Sequence, residues 1–360
     1  MVTAIIFIVV IGVLVLVHEF GHFIMAKRAG MKVEEFGFGF PPRIVGWKRG
    51  ETIYSINWIP FGGFVKIFGE DGEGQGPRSF ASGTFWQRMG VIVAGVVMNF
   101  LLAAVLLMLV NGLGLRVGIA DPHTPGVQDQ RIEVLTVSPG SPADKAGLQS
   151  LDQLVGYRQD GSLIEFDSVE SLQSAVNNHS GQPIVLEIKR GSETLDKTLI
   201  PRVNPPPDQG AIGISLAMTG VVSYPWYEAI WRGVVDAWIL TENTVIGYWT
   251  LLKTLIVHGK LAADVSGPVG IATLTGQAAR VGINYLLQFV ALISVNLAVL
   301  NIVPFPALDG GRALILVIEK IKRSPVNRNA EMWVNMIGFY VLIAFMIYIT
   351  YNDIAKLFVK

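Results

Sequence analysis

His18-Glu19-Phe20-Gly21-His22 places two imidazoles and a carboxylate within five residues. On a helix, positions four apart share a face, so both rings point the same way and Glu19 sits beside them. Two imidazole ligands with an adjacent carboxylate base is the arrangement by which zinc peptidases hold a metal and activate a water. The setting is unusual for that chemistry. Ala4 to Val17 is a continuous apolar run, and Phe23-Ile24-Met25 extend it past the motif. The segment lacks a basic leader and a small-residue cleavage site, so it reads as a retained membrane span that carries the motif. With five histidines in 360 residues, a chance HExxH is expected on the order of 0.003 times per chain, so the match is specific. Packing glue and channel lining are the competing uses of polar groups in a span. Three ionisable groups in five residues are too costly in lipid for packing alone, which leaves a metal site.

A catalytic zinc takes three protein ligands and keeps one position open. The chain has no cysteine, so the third ligand must be His or carboxylate. Asp309 is the candidate, in Asn301-Ile302-Val303-Pro304-Phe305-Pro306-Ala307-Leu308-Asp309-Gly310-Gly311-Arg312. Two prolines end an apolar span there, and the glycine pair after the aspartate lets backbone approach closely. Glu319 and Asp353 are the rival carboxylates, and a helix cap is the plain structural use of Asp309.

The elements that must position these groups are legible from hydropathy. The chain is 51% hydrophobic and 16% charged with zero formal net charge, a membrane-protein composition with nothing to suggest nucleic acid. Four spans are predicted: Thr3 to Met25, Met89 to Val110, Ile283 to Val303 and Trp333 to Tyr351. Nine Lys or Arg fill the stretch from Lys27 to Arg88, and five lie between Arg312 and Arg328. Residues 112–282 hold 12 basic against 17 acidic residues. The positive-inside rule therefore puts the first and last loops in the cytoplasm and the long segment outside. His18 lies about fourteen residues, roughly 21 Å, beyond the outer start of span one, and Asp309 follows the inner end of span three. The two meet if both spans run inwards.

In the first loop, Arg43 to Trp47 and Thr52 to Ile59 flank a Lys48-Arg49-Gly50-Glu51 turn and predict a β-hairpin dipping into the membrane interface. Gly69 to Pro77 is a glycine-rich loop. Residues 128–203 predict a small soluble α/β domain closed by Pro205-Pro206-Pro207. Trp226 to His258 is apolar but interrupted by charge, and since the segment must begin and end outside, it is read as an amphipathic helix lying on the outer surface. The predicted organisation is residues 1–111 and 283–360 as two halves of a membrane core, with the 128–203 domain and a 204–282 linker and surface helix between them.

These residues resemble the site-2 protease family of intramembrane zinc metalloproteases (peptidase M50), in its bacterial regulator-of-sigma-E protease branch. HEFGH and NIVPFPALDGGR look like the family's two signatures, and SPADKAGL at 141–148 looks like the helix-opening motif of a PDZ domain. Ser266-Gly267-Pro268-Val269-Gly270 and Ser294-Val295-Asn296 also match. The resemblance implies a multi-pass α-helical protein of the bacterial inner (plasma) membrane. It would have four transmembrane helices, a membrane-reentrant β-hairpin and one inserted extracytoplasmic PDZ domain. It implies one Zn2+ per chain on His18, His22 and Asp309, with Glu19 as catalytic base and Asn301 and Asn296 contacting substrate. The substrates implied are single-span membrane proteins, such as anti-sigma factors or signal-peptide remnants, cleaved within the lipid bilayer. The alternative is a catalytically silent, membrane-anchored PDZ scaffold that binds extracytoplasmic tails. A metal transporter is the other rival, but the ligands form one closed set rather than a path. The sequence departs from the family at Ala94-Gly95-Val96-Val97-Met98-Asn99-Phe100, where relatives often have Gly-Pro, and at Leu151-Asp152, where PDZ domains usually have Gly-Asp.

Overall fold

In the computed structural model, which describes residues 2–70, 76–119, 126–159, 161–206, 209–259 and 266–358, the chain forms two compact units. The first contains α1 (Val2–Arg28), β1 (Val33–Arg49), β2 (Thr52–Ile67) and most of α2 (Phe85–Leu113). The second opens with β3 (Leu115–Gly118), β4 (Gln128–Val137), α3 (Pro142–Lys145), β5 (Gln153–Gln159) and β6 (Ser162–Glu165). It continues through α4 (Val169–Asn178), β7 (Ile184–Arg190), β8 (Glu193–Leu199) and β9 (Ile214–Val222). The chain then returns to the first unit along α5 (Trp226–His258), α6 (Pro268–Val281), α7 (Ile283–Ile302), α8 (Asp309–Lys322) and α9 (Arg328–Phe358).

Four helices are long and apolar enough to cross a membrane: α1, α2, α7 and the Asn329–Ala355 part of α9. They match the four predicted spans. The prolines at 304 and 306 end α7 as expected, because each lacks the N–H that would continue the helix.

The β1–β2 element is larger than the predicted hairpin. Phe36 pairs with both Tyr54 and Val65, and Gly37 with both Ser55 and Phe64. Each long strand therefore bends, at Pro41-Pro42 and near Pro60, and residues 35–38 form the middle of a four-segment sheet. One edge of that sheet, residues 63–67, has no strand on its outer side among the described residues. The Lys48–Glu51 turn is tied by ion pairs to Lys27 and Arg78. Glu51 accepts from Arg78 at 2.6 and 2.8 Å and from Lys27, at the polar end of α1, at 3.2 Å. Those cations hold its carboxyl low, at about 2. The opposite bend runs along α1: Phe38 packs at Gly12 and Gly62 at Val15. Its exposed side carries Phe40, Ile44, Trp58 and Ile59. The expectation of a flexible loop at Gly69–Pro77 falls largely on residues 71–75, outside the described residues.

Helix α5 does not lie across the ends of the spans. Ala237, Leu240 and Tyr248 pack with Ala103, Ala104 and Leu107 of α2 and Ala291, Val295 and Val299 of α7. The Tyr248 hydroxyl donates to Asn296 Oδ1 at 2.6 Å. Asn296 is thirteen residues into α7, roughly 20 Å along its axis, which a flat surface helix would not reach. The contact stripe has buried Gly233 and Ala237 followed by half-buried Thr241, Thr244 and Tyr248; its small residues allow close helix approach, so the contact face itself adds little hydropathy.

The second unit is built on a sheet ordered β3-β9-β4-β5-β7-β8, with β6 on β5. Ile132, Val134, Leu154, Leu172, Ile184, Leu186 and Ile188 form its core. The predicted end at residue 203 falls inside this sheet, because β9 pairs with β4 over most of its length. At the Leu151-Asp152 departure, Leu151 has φ +71°, the left-handed conformation glycine adopts without cost. Asp152 is fully buried and accepts two bonds from Arg190, at 2.6 and 2.7 Å, and one from the Gln149 backbone N–H. Removing one partner of such a pair costs about 3 kcal/mol. Asp152→Ala should therefore speed native-state hydrogen exchange at the core amides of Leu186 and Ile188 by about 100-fold. A change below threefold would mean the pair does not hold this unit.

Candidate metal centre

The first unit brings His18, His22 and Asp309 together across 291 residues of chain. His18 Nε2 lies 3.0 Å from Asp309 Oδ2, His22 Nε2 lies 3.3 Å from the same oxygen, and the two Nε2 atoms are 3.2 Å apart. Both rings are buried. Glu19, between them in sequence, offers its carboxylate within 4.8 Å of both imidazoles. His18, Glu19, Asn99, Asn301 and Asp309 line one cavity of about 230 Å³, closed by Val15, Leu297, Ala307 and Leu308.

Close backbone approach makes this convergence possible. Gly21 of the HEFGH motif meets the Ala94 carbonyl of α2, and Gly95 faces both rings. A Cβ on Gly95 would stand 2.6 Å from His18 Cε1 and 2.6 Å from His22 Nε2. On the other side, Gly310 abuts the carbonyls of Ile302 and Val303, and Gly311 abuts that of Phe305. The turn between α7 and α8 is thereby folded tightly under the end of α7. Leu308 occupies the N-cap position of α8, and no side-chain cap is made. Asp309 is thus not a helix cap, and its carboxylate faces the imidazoles. Arg312, one turn on, pairs with Glu70 at 2.7 Å and fixes the first turn of α8.

The rival carboxylates are engaged elsewhere. Glu319 pairs with Arg88 at 3.1 Å and accepts from the Val326 N–H. Buried Asp353 accepts from the Gly270 N–H at 2.8 Å. Asn301 lines the cavity, whereas Asn296 does not: its side chain accepts from Tyr248 and donates to the Leu292 carbonyl. Sequence reasoning passed over Asn99, which is fully buried beside His18. A lone amide within the apolar span Met89 to Val110 was the available signal.

The donor set fits zinc. A tetrahedral site with arms of ~2.0–2.1 Å has ligand–ligand edges of roughly 3.3–3.4 Å, and the three observed separations, 3.0, 3.2 and 3.3 Å, lie close to that. His22 Nδ1 sits 2.7 Å from the Val91 carbonyl, which can only accept. That ring therefore carries its proton on Nδ1 and leaves Nε2 for a metal.

Buried imidazoles, a carboxylate and an adjacent glutamate within an apolar helical core define a membrane metallopeptidase. The comparisons agree. The model of peptidase family M50 matches residues 6–345, and the chain belongs to that family. It is 38% identical over 344 residues to a Clostridium perfringens protein provisionally named a zinc metalloprotease, covering 95% of each chain. It is 31% identical to the regulator of sigma-W protease RasP of Bacillus subtilis, covering 99% of each, and 30% identical to the protease RseP of Yersinia pestis, covering 98% of each. The chain is accordingly a membrane zinc metalloprotease with Zn2+ as its cofactor. Gly95→Ala should separate the two imidazoles and lower zinc affinity at least tenfold, read by competition with a chromogenic chelator. Wild-type affinity in that variant would show that the helix contact does not set the ligand geometry.

Proposed function

We propose that the chain hydrolyses peptide bonds within the transmembrane segments of single-span membrane proteins. His18, His22 and Asp309 hold the zinc, and Glu19 is the base. The convergence of three donors within 3.3 Å beside Glu19, in a cavity among apolar helices, carries this reading. A bound zinc at this position supplies Lewis-acid polarisation of the scissile carbonyl and a lowered pKa for a water. Glu19 takes the proton of the attacking water and delivers it to the leaving amine. Asn301, across the cavity, donates its amide N–H to the substrate backbone or to the oxygen on which charge develops. Asn296 meets substrate only if its bond to Tyr248 opens.

A peptide bond in a membrane helix is shielded by its own hydrogen bonds, so the substrate must be drawn out locally. The free edge of the β1–β2 sheet is suited to hold it extended by strand addition. Gly63, at the start of that edge, lies against Leu16 and Glu19 of α1. We read the apolar bend of this sheet, rather than the Lys48–Glu51 turn, as the part that re-enters the membrane. The sheet-bearing second unit is read as a single PDZ domain outside the membrane, which admits substrates already trimmed of bulky outer domains. The alignment of the whole chain with RasP of Bacillus subtilis runs over 441 positions against 360 residues here, so that relative carries stretches with no counterpart in this chain. The name of that relative supports anti-sigma factors as one substrate class, and the bacterial relatives support a location in the inner (plasma) membrane.

Removing the base while keeping the ligands separates chemistry from metal binding. Glu19→Gln should bind about one zinc per chain, as expected for a site with its three ligands intact, yet leave a model single-span substrate uncut. Comparable turnover would contradict the assigned base. A catalytically silent scaffold would instead show no zinc-dependent cleavage in the wild-type chain.

A further inference from the structure

Asn99 is fully buried on α2, and its amide faces the second ring nitrogen of His18: Nδ2 lies 3.3 Å from His18 Nδ1. Asn99 Oδ1 is also buried, with no hydrogen-bond partner among the described residues. In this orientation the NH2 group would donate to Nδ1, which requires the imidazole proton to sit on Nε2. Nε2 is the atom 3.0 Å from Asp309, and it must be free of a proton to bind zinc. A half-turn of the amide removes the conflict, because Oδ1 then accepts from a protonated Nδ1. The number of satisfied amide atoms is the same in both orientations, so the tautomer decides between them.

His22 shows the same requirement met by another route. Its Nδ1 donates to the Val91 carbonyl. Among the described residues no backbone carbonyl lies at hydrogen-bond distance from His18 Nδ1, so a side chain supplies the acceptor there. Val91, Gly95 and Asn99 are spaced by four and share one face of α2. The first orients His22, the second gives both rings room, and the third meets His18. Ser294 of α7 fixes the last of these positions, donating its hydroxyl to the Asn99 backbone carbonyl at 2.8 Å.

We propose that Asn99 is the positioning residue for His18, its side-chain oxygen accepting the Nδ1–H so that the ring presents a proton-free Nε2 to zinc. This inference rests on the ligand assignment made under the proposed function. It is tested by zinc affinity of the full-length chain in detergent, measured by chelator competition. Asn99→Leu keeps the branched heavy-atom shape and removes the acceptor, and it should bind zinc about 10–100-fold more weakly, the usual range for losing an orienting partner of a ligand. Asn99→Asp keeps an acceptor and no donor, and it should bind within about threefold of wild type, because only acceptance from the ring is needed. Affinity in Asn99→Asp as low as in Asn99→Leu, or unchanged affinity in Asn99→Leu, would overturn the proposal. If Asn99→Leu does not fold, Asn99→Asp alone decides: wild-type affinity supports the proposal and a tenfold loss overturns it. His18→Ala is the reference. Unchanged zinc affinity there would show that the ligand assignment itself is wrong, whereas a loss there with none in Asn99→Leu would sink only the role of Asn99.

Discussion

The contact between α1 and α2 at Gly21 and Gly95 is the constraint on which the rest of the site depends. Two buried imidazoles can point at a shared carboxylate oxygen only if neighbouring helices leave room for the rings and still exclude lipid. Glycine meets both demands, since each lacks the Cβ that would strike a carbonyl or a ring. The same logic recurs across the cavity, where Gly310 and Gly311 fold the α7–α8 turn tightly enough to aim Asp309 inward. In a medium without water to satisfy stray polar groups, this packing is what makes such a polar cluster tolerable.

Around that core the polar groups form a closed set of obligations. His22 is tied to a backbone carbonyl, His18 to an amide, and the first turn of α8 to Glu70 through Arg312. Glu19 is left without a fixed ion-pair partner among these, which suits a group that must take and release a proton. The open edge at residues 63–67 starts beside it, at Gly63. A zinc site, a base and a strand edge thus occupy one side of α1.

Much of this was legible in the sequence because short spacing rules carry it. HEFGH needs only the period of a helix, and Asp309 stood out because prolines and glycines in an apolar span mark a break. What escaped depended on contacts between distant segments. The four-segment sheet could not be read from residues 43–59 alone, since residues 35–38 and their second set of partners, 63–66, lie outside that stretch. The course of α5 was hidden because its contact face is built from buried Gly233 and Ala237 and half-buried threonines, which score poorly as membrane sequence, while its charges suggested a surface. The soluble unit was cut short at the proline run because β9 joins the sheet by pairing with β4 and β3, both distant from it in sequence. Asn296 was placed in the substrate site by its motif, but its amide is engaged by Tyr248 on a helix whose position the sequence did not disclose.

The most direct test of the central claim is X-ray absorption at the zinc edge of the loaded, full-length protein, compared with Asp309→Ala. The account predicts four-coordinate zinc with two imidazole nitrogens at ~2.0–2.1 Å and two oxygens at ~2.0–2.2 Å, and a lost protein oxygen or lost metal in the variant. An imidazole count other than two, or a spectrum unchanged by Asp309→Ala, would contradict it.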